Sequence, residues 1–360
     1  MKGKPILKIL LGVLAIGYLV LIFTDFGKAS GYVLVGFFLL LAYLVQGSTF
    51  SGFAYTIIIF AAVSASMYFP HWFIAVGDFQ LSRLIVPLLM IIMFGMGTSM
   101  SWSDFKGVVK MPQAVGVGVV CQFTIMPIIG FGLAKLSGLP PEIAAGIVLV
   151  GCSPSGLASN VMSFLSNANL ALSVTLTAVA TLLSPLVTPF LMGLLADQFV
   201  PIDFLAMFWS IVKMVILPIL AGLIFNHFAH GKLPWLDKAM PVISMAGIAL
   251  IITIITAAGR DSLLSIGLVL IAVVVLHNLA GYLLGYWSCK LIGLDKKSCR
   301  TIAFEVGMQN SGLASGLALE MGKVTTMGLA PAVFGPFMNI SGSSLATWWR
   351  GRDSSEAAKP

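Results

Sequence analysis

Charged side chains are scarce in this sequence. Lys, Arg, Asp and Glu make up 9% of its 360 residues, whereas hydrophobic residues make up 59% and the mean hydropathy is +1.03. A soluble domain carries about 25% charged residues, so this chain cannot cover a water-facing surface of ordinary polarity. Its apolar runs are helix-length, unlike the short alternating strands of an outer-membrane barrel. We therefore predict an all-α polytopic membrane protein.

Cysteine and histidine are also scarce, with four residues of each. No CxxC pair occurs, so we interpret the cysteines as small buried side chains and predict neither a disulfide framework nor a zinc finger. The chain has no GxSxG or HExxH motif, and its apolar runs contain no Ser/His/Asp set or paired aspartates. These absences argue against an intramembrane enzyme.

Twelve apolar runs have lengths near the roughly 20 residues that cross a bilayer as a helix. They lie near residues 5–24, 31–46, 53–70, 82–100, 112–136, 141–165, 169–196, 204–228, 239–257, 262–290, 300–320 and 325–349. The connecting loops are short, and a polar tail, residues 350–360, follows the last run and is expected to be disordered. We expect the function to lie within the bilayer, because no segment is long enough for a separate catalytic or regulatory domain.

The net charge of +7 is explained by membrane topology and requires no nucleic-acid partner. If the amino terminus is cytoplasmic, fourteen Lys and Arg residues fall on the cytoplasmic side, five on the opposite side, and Lys213 within a run. The positive-inside rule therefore places both termini in the cytoplasm. The fourteen are Lys2, Lys4, Lys8, Lys106, Lys110, Lys232, Lys238, Lys290, Lys296, Lys297, Arg300, Arg350, Arg352 and Lys359.

The pentapeptide SGLAS occurs twice, at residues 155–159 and 311–315, each time inside an apolar run. If runs three to seven and eight to twelve form two halves, each copy falls in the fourth helix of its half. Five helices is an odd number, so the halves would be inverted, as in many secondary transporters. Pro154 precedes the first copy, and a helix break there would need a protein or water-filled surrounding. A proline kink or small-residue packing is the alternative for that copy.

Glu305 is the only acidic residue deep within an apolar run. A charge at the middle of a bilayer costs roughly 2.5–3.5 kcal/mol, so we expect it to have a function. Gln309 and Asn310 follow it, and their oxygens, with carbonyls freed by a break, favour a monovalent cation over zinc or copper. Amide groups freed at a break would suit an anion. A structural ion pair with Lys213 is the alternative for Glu305.

Other polar residues could join such a site. Ser173 and Thr177 are spaced i, i+4 and share one helix face, and Gln122 lies in the middle of a run. His277 and Asn278 are interpreted as an interhelical hydrogen-bonding pair. For Lys213, snorkelling, pairing with a carboxylate and attraction of an anionic substrate all stay open.

From about residue 53 to residue 349 the sequence resembles the bacterial branch of the bile acid:sodium symporter family. The resemblance rests on GCSPSGLASNVMSFLSNANLALSVTLT, RTIAFEVGMQNSGLASGLA and HNLAGYLLGY. It implies a ten-helix inverted repeat (5+5), with two discontinuous helices near 141–165 and 300–320 that cross each other. A panel domain would comprise 53–100 and 204–257, and a core domain 112–196 and 262–349. Residues 1–46 would add two further N-terminal transmembrane helices.

The resemblance also implies two sodium sites and a substrate site. The first sodium site would use Ser159, Asn160, Ser173, Thr177 and Glu305. The second would use the side chains of Gln122, Glu305 and Gln309 with backbone oxygens near Val306 and Met308. The substrate carboxylate would meet helix N-termini near Leu157, Ala158, Asn310 and Ser311. Many relatives have a hydroxyl residue in place of Leu157 and a histidine in place of Met338, which affects the substrate expectation alone.

The resulting hypothesis is a sodium-coupled symporter that imports a small organic anion by alternating access. The anion would be pantoate, a 2-oxo acid or a bile-acid-like monocarboxylate, and the location a bacterial inner membrane. Sodium, the anion and lipid are the expected partners, with no nucleic acid and no obligate protein partner. The alternative is a proton-coupled organic anion transporter in which Glu305 titrates. A channel is disfavoured, because inverted repeats with broken helices suit alternating access.

Overall fold

The computed structural model describes residues 4–24, 28–46, 53–104, 106–229 and 234–357. Almost all of these residues are helical. The helices are α1 Lys4–Thr24, α2 Lys28–Val45, α3 Ala54–Tyr68, α4 His71–Ile74, α5 Ile85–Thr98, α6 Lys106–Lys110, α7 Pro112–Leu136, α8 Pro141–Cys152, α9 Leu157–Leu165, α10 Leu170–Leu195, α11 Phe204–Ile211, α12 Leu217–Ala229, α13 Pro234–Ala258, α14 Arg260–Leu291, α15 Lys296–Gly307, α16 Ser311–Glu320 and α17 Leu329–Ala357. The two strands are β1 Ala75–Val76 and β2 Phe79–Gln80, which pair antiparallel.

The helices follow the apolar runs because each run contains few polar groups that could compete with the intrahelical hydrogen bonds. By length and composition, six helical stretches among the described residues can cross a membrane, and shorter apolar helices accompany them. The six are Leu81–Thr98, Pro112–Leu136, Leu170–Leu195, Phe204–Phe228, Ala239–Ala258 and Arg260–Leu291. The prediction of an all-helical polytopic protein is confirmed at this level.

Helix starts carry local sequence signals. Pro112 and Pro141 occupy first helical positions, where the missing N–H is not needed. Asp203 caps α11 and Asp295 caps α15, since their carboxylates accept hydrogen bonds from Ala206 N and from Lys297 N and Ser298 N. These caps fix where each apolar run enters its helix.

Two local differences from the sequence-based expectations stand out. The last helix continues to Ala357, so most of the polar tail expected over 350–360 is helical. The guanidinium of Arg352 lies 4.4 Å from the Trp348 ring centroid, four residues earlier, which stabilises this added turn. The eleventh and twelfth helices are joined by a π-helical turn, Val212–Ile216. Residues 1–3, 230–233 and 358–360, including Lys2, Lys232 and Lys359, lie outside the described residues.

The added N-terminal hairpin packs at one edge of the protein. Helix α1 packs on α2, and α2 packs on α3, which in turn contacts α13. The hydroxyls of Tyr18 and Tyr68 lie 3.2 Å apart and join α1 to the end of α3. The outer face of α1 is apolar and exposed, as a lipid-facing surface requires.

Glycines determine how closely helix α5 approaches α12 and α16. Helices α5 and α12 are in backbone contact, because a Cβ on Gly97 would lie 2.2 Å from Ile219 O and one on Gly222 would lie 2.2 Å from Phe94 O. Helix α16 meets α5 differently: a Cβ on Gly316 would lie 2.6 Å from the terminal Cδ2 of Leu89. The first contact is between backbones, whereas the second ends on a flexible side chain.

The remaining long helices form a second packed group. Helix α7 packs on α8, α10, α14 and α15, and α17 packs on α8, α9, α14 and α16. The four half-length helices α8, α9, α15 and α16 lie within this group. The side chains of α8, α16 and most of α15 are buried, which is why α8 shows no polar face, whereas α9 buries one face and exposes Val161 and Phe164.

Candidate functional site

The two interrupted helices meet at their interruptions. Ser155 and Gln309 form an isolated antiparallel β-bridge. Gly156 N donates to Met308 O at 3.3 Å, and Asn310 N donates to Pro154 O at 2.8 Å. Each extended segment thus satisfies backbone groups that the other segment's break has freed, as a membrane interior requires.

The N-termini of α9 and α16 lie on either side of this bridge. Leu157 and Ala158 begin α9, and Ser311 begins α16. Asn310 caps α16, since its Oδ1 accepts from Leu313 N at 3.0 Å. The four residues predicted to meet a substrate carboxylate therefore occupy two helix starts, where the helix dipole is positive. Among the described residues, the buried Ser311 Oγ has no hydrogen-bond partner.

Glu305 lies beside the bridge, 2% exposed, with hydroxyl groups around both of its carboxylate oxygens. Oε1 accepts from Ser159 Oγ and Ser173 Oγ, each at 2.6 Å, and Oε2 accepts from Ser155 Oγ at 2.6 Å. Thr177 Oγ1 lies 3.1 Å from Oε1 and 2.9 Å from Oε2. The hydroxyls come from the first break, from α9 and from α10.

Asn160 completes this first cluster. Its Oδ1 lies 2.8 Å from Ser173 Oγ and 3.2 Å from Thr177 Oγ1. Each hydroxyl has one proton, so it can donate either to Asn160 or to Glu305. The structure therefore brings together all five residues predicted for the first sodium site. The cluster contains carboxylate, amide and hydroxyl oxygens and no thiolate or imidazole. Such hard-oxygen ligands suit a monovalent cation.

Gln122 and Gln309 form a second cluster on the other side of the break. Gln122 Nε2 donates to Gln309 Oε1 at 2.8 Å and to Ser153 O at 2.9 Å. Because both neighbours are acceptors, the amide orientation of Gln122 is fixed. Its Oε1 is buried and has no hydrogen-bond partner within the described part of the chain. A buried acceptor of this kind is expensive to leave unpaired and fits a bound cation.

The backbone oxygens predicted for the second site lie in this region too. Val306 O accepts from Gln309 Nε2 at 2.5 Å, and Met308 O accepts from Gly156 N. The side chain of Gln309 thus holds the Val306 carbonyl, and the crossing holds the Met308 carbonyl. Glu305 lies one residue before Val306, and the two clusters share the end of α15.

Two features of the site were not predicted from the sequence. Ser155 was not among the predicted ligands, although its hydroxyl contacts Glu305; its place next to Pro154 in the repeated pentapeptide was the available signal. Asn278 Nδ2 donates to Gly307 O at 2.8 Å, and Ser341 Oγ donates to Asn278 Oδ1 at 2.6 Å. This pair holds the last carbonyl of α15; the sequence predicted an interhelical hydrogen bond for Asn278 but not these partners.

The sequence alternatives can be compared with this geometry. His277 Nε2 lies 2.9 Å from Met126 O and is buried, in keeping with its interpretation as an interhelical hydrogen-bonding residue. Lys213 lies on the π-helical turn and is exposed. Within the described residues it makes no ion pair with Glu305, whose hydrogen-bond donors are the four hydroxyls. The proposed structural Glu305–Lys213 pair is therefore not formed.

Comparisons with known proteins identify related transporters. The sequence model of the Sodium Bile acid symporter family matches residues 86–266. The uncharacterized sodium-dependent transporter YocS of Bacillus subtilis is 44% identical over 305 residues, covering 84% of this chain and 92% of that protein. A probable chloroplastic sodium/metabolite cotransporter of Arabidopsis thaliana is 35% identical over 262 residues, covering 73% of this chain.

A probable chloroplastic cotransporter of rice is 36% identical over 258 residues, covering 72% of this chain. The matches cover 65% and 64% of the two plant proteins, just under two thirds of their length. The family match covers the first interrupted helix. The chain belongs to the Sodium Bile acid symporter family.

Proposed function

We propose that this protein is a sodium-coupled symporter that imports a small organic anion. The observation that carries the proposal is the enclosed carboxylate of Glu305. Its two oxygens, the Asn160 amide oxygen and four hydroxyls converge in a buried site that contains no basic residue among its hydrogen-bond partners. A cation would neutralise a charge that is otherwise costly within a membrane.

Two sodium ions are proposed, one at each cluster. The first would take Ser159, Asn160, Ser173, Thr177 and Glu305 as ligands. The second would take Gln122, Glu305 and Gln309 with the carbonyls of Val306 and Met308, and the unpaired Gln122 Oε1 supports it. Sodium here is a transported substrate. Because Glu305 belongs to both sets, binding of one ion would favour the other only if they approach the carboxylate from different sides.

The proposed architecture is the ten-helix inverted repeat. The panel would comprise residues 53–100 and 204–257, and the core 112–196 and 262–349, with the added helices of 1–46 packed on the panel. The backbone bridge between Ser155 and Gln309 supports equivalent positions for the two breaks. Both termini would be cytoplasmic in a bacterial inner membrane, as the distribution of Lys and Arg indicates.

The anion would bind at the paired starts of α9 and α16. Two positive helix ends side by side suit one carboxylate, and the N–H groups of Leu157 and Ala158 with the Ser311 hydroxyl would donate to it. The plant relatives are described as sodium/metabolite cotransporters. We propose a monocarboxylate, with pantoate or a 2-oxo acid ahead of a bile-acid-like amphipath.

Alternating access is supported by an asymmetry in packing. Helix α16 contacts α5, α11 and α13 of the proposed panel. Helix α9 packs on α10, α15 and α17, which all belong to the proposed core, and exposes Val161 and Phe164. With cytoplasmic termini, α16 lies in the outer half of the membrane and α9 in the inner half. The structure would then be closed towards the outside and open towards the cytoplasm.

Coupling would follow from reciprocal linkage between the ligands. Sodium bound at Glu305 would hold α15 against α9 and α10, and so fix the two helix starts that receive the anion. The anion would in turn raise the affinity for sodium by the same factor. Movement of the core against the panel would then carry both ligands.

The test is uptake of pantoate into proteoliposomes with and without an inward sodium gradient. Wild-type protein should take up pantoate only with sodium, and Glu305→Ala should lose the uptake. Glu320→Ala is the matched control, since this acid is exposed at the end of α16. Uptake driven by a pH gradient without sodium would contradict the proposal and favour the proton-coupled alternative.

Thermal unfolding separates the ion from the anion in the same samples. Stabilisation by sodium and not by potassium, lost in Glu305→Ala, would keep the symporter even if pantoate is not transported. In that case pantoate is the wrong anion. No response to sodium in wild-type protein would reject both ion sites.

A further inference from the structure

A polar network lies behind the second break, where α14 and α17 meet the end of α15. Asn278 and Tyr282 are buried and spaced i, i+4 on α14, so they share one helix face. Ser341 meets them from α17, with its Oγ 2.6 Å from Asn278 Oδ1 and 3.2 Å from the Tyr282 hydroxyl oxygen. None of these three residues is a ligand of either proposed sodium site.

The hydrogen bonds of this network lead to a single main-chain atom, the carbonyl oxygen of Gly307. Asn278 Nδ2 donates to Gly307 O at 2.8 Å, so the other end of the amide, Oδ1, accepts the Ser341 proton. The Tyr282 proton can go to the Ser341 oxygen or to Met338 O, which lie 3.2 and 3.1 Å from its hydroxyl. Hydrogen bonds joined in such a chain strengthen one another.

Glycines bring the three helices into direct contact around this carbonyl. A Cβ on Gly307 would lie 2.2 Å from Tyr282 Cδ1, and one on Gly281 would lie 2.8 Å from Gly307 Cα. A Cβ on Gly342 would lie 3.1 Å from Met308 Sδ and 3.2 Å from the Tyr282 hydroxyl oxygen. The Tyr282 ring therefore packs on the backbone of α15, and its hydroxyl reaches the backbone of α17.

The orientation of the Gly307 peptide group depends on these partners. The last carbonyls of a helix have no acceptor role within it, and a glycine restricts its own backbone less than any other residue. Val306 and Met308, on either side of Gly307, supply the two backbone oxygens proposed for the second sodium ion. Because the three carbonyls belong to consecutive planar peptide groups, a rotation at Gly307 would displace both of these oxygens.

We propose that Ser341 and Tyr282 are positioning residues for the second sodium ion. The inference rests on the proposed sodium-coupled function and deepens it. Ser341 orients the Asn278 amide, which holds Gly307 O, and this sets the positions of the two backbone oxygens that bind the ion. Groups that hydrogen-bond to the ligands of a metal ion fix their orientation. Oxygens already in place need no ordering when the ion binds, which raises its affinity.

The first sodium site should not depend on this network. Its four proposed ligands besides Glu305 lie on α9 and α10, whereas the network joins α14 and α17 to the end of α15. Loss of the Ser341 hydroxyl should therefore weaken the binding of one ion and leave the other unchanged. A merely structural role of Ser341 would instead affect both ions alike, because a loosened fold disturbs both sites.

The experiment is isothermal titration of the purified full-length protein with sodium chloride at constant ionic strength. Ser341→Thr and Ser341→Val introduce side chains of the same shape, but only threonine keeps the hydroxyl. Ser341→Thr should bind both ions as wild-type protein does, whereas Ser341→Val should bind one of them about tenfold more weakly. Ser341→Ala, which adds no volume, should show the same loss as Ser341→Val. Thermal unfolding midpoints without sodium verify that each variant is folded.

Ser344→Ala is the matched control, because Ser344 is exposed on the same helix and its hydroxyl donates to Ile340 O at 2.8 Å. It should leave both binding steps unchanged. Tyr282→Phe should weaken the same step as Ser341→Val, but by a smaller factor. Equal binding by the threonine and valine variants, or equal weakening of both steps, would overturn the proposal.

Wild-type protein distinguishes this inference from the proposed function. If it binds a single sodium ion that the Ser341 variants leave unchanged, the inference is wrong while sodium-coupled symport stands. If it binds no sodium, the proposed function fails and the inference fails with it.

Discussion

The two interrupted helices are broken in the same way by different residues. The first break, Ser153–Gly156, contains Pro154 and ends in glycine, both of which disfavour a continuous helix. The second, Met308–Asn310, contains neither residue, yet Met308 is also extended. Each segment pairs with the other through the Ser155–Gln309 bridge. The comparison teaches that the pairing maintains the break, and that proline only makes the first break easier to form.

The two breaks also differ in chemistry. The first contributes hydroxyls, from Ser155 at the break and Ser159 on α9, whereas the second contributes the carboxylate of Glu305 and the amide of Gln309. The two SGLAS copies differ in backbone geometry, because Ser155 and Gly156 precede α9 whereas Ser311 and Gly312 begin α16. The polar groups are likewise divided between the two breaks. A single cluster forms only because the two segments cross.

The largest expected effect comes from removing the charge of the second break. Glu305→Gln keeps the size of the side chain but replaces one acceptor oxygen by an NH₂ donor. In the wild-type protein four hydroxyls donate to the carboxylate, so this donor faces other donors. We expect sodium affinity to fall by roughly 100-fold or more, or about 3 kcal/mol. Sodium titration followed by thermal unfolding measures it. An unchanged sodium response in a folded variant would show that the cation binds elsewhere.

A smaller effect is expected on the amide side of the crossing. Gln122→Ala removes the unpaired Oε1 together with the donor to Gln309, so the second cluster loses a ligand while the first keeps all of its groups. We expect about tenfold weaker binding of one sodium ion. Isothermal titration should then show one weakened step. Uniform weakening of both steps would mean that the clusters are not separable.

The hydroxyls of the first break should contribute less individually. Ser155→Ala removes one of four hydroxyl donors to Glu305, and we expect sodium affinity to fall about fivefold, or about 1 kcal/mol. Ser163→Ala is the matched control, because Ser163 is buried on α9 and its Oγ has no partner among the described residues. It should leave sodium affinity unchanged. If Ser163→Ala lowers sodium affinity as much as Ser155→Ala does, the loss arises from altered packing and not from a lost hydrogen bond.

The smallest effect is expected for the proline itself. Pro154→Ala keeps the carbonyl that accepts from Asn310 N, so the crossing should remain, with stability changed by at most about 1 kcal/mol. Sodium affinity should stay within about twofold of wild type. Hydrogen exchange at Asn310 N reports on the bridge. Rapid exchange at Asn310 N together with a loss of sodium binding would show that Pro154 maintains the break. That result would contradict the conclusion that the Ser155–Gln309 pairing maintains it.

Much of this organisation could be predicted from the sequence. The apolar runs marked the helices, since hydropathy is the dominant requirement in a bilayer. Glu305 is a single acid among glycine and amide residues within an apolar run. It indicated a binding site, because a charge within the membrane is costly unless it has a function. Ser173 and Thr177 were placed on one face by helical spacing alone.

What could not be predicted depends on contacts distant in sequence. Ser155 reaches Glu305 across 150 positions, and Asn278 reaches Gly307 from a neighbouring helix. The sequence indicated an interhelical hydrogen bond for Asn278, but it identified the partner of neither residue, because serine and asparagine are common in membrane helices for many reasons. The helical continuation to Ala357 was missed because a polar composition at a chain end equally suits a loose tail.

The glycine contacts between helices set which surfaces can slide. Where α5 meets α12, backbone atoms touch at Gly97 and Gly222, and any relative displacement would drive main chains into each other. Where α5 meets α16, the end of the Leu89 side chain intervenes at Gly316, and a rotamer change can absorb a shift. The contact between α5 and α12 is therefore rigid, whereas the contact between α5 and α16 can slide. We expect shear at the contact between α5 and α16, so that α5 and α12 move as one rigid body while α16 slides past Leu89.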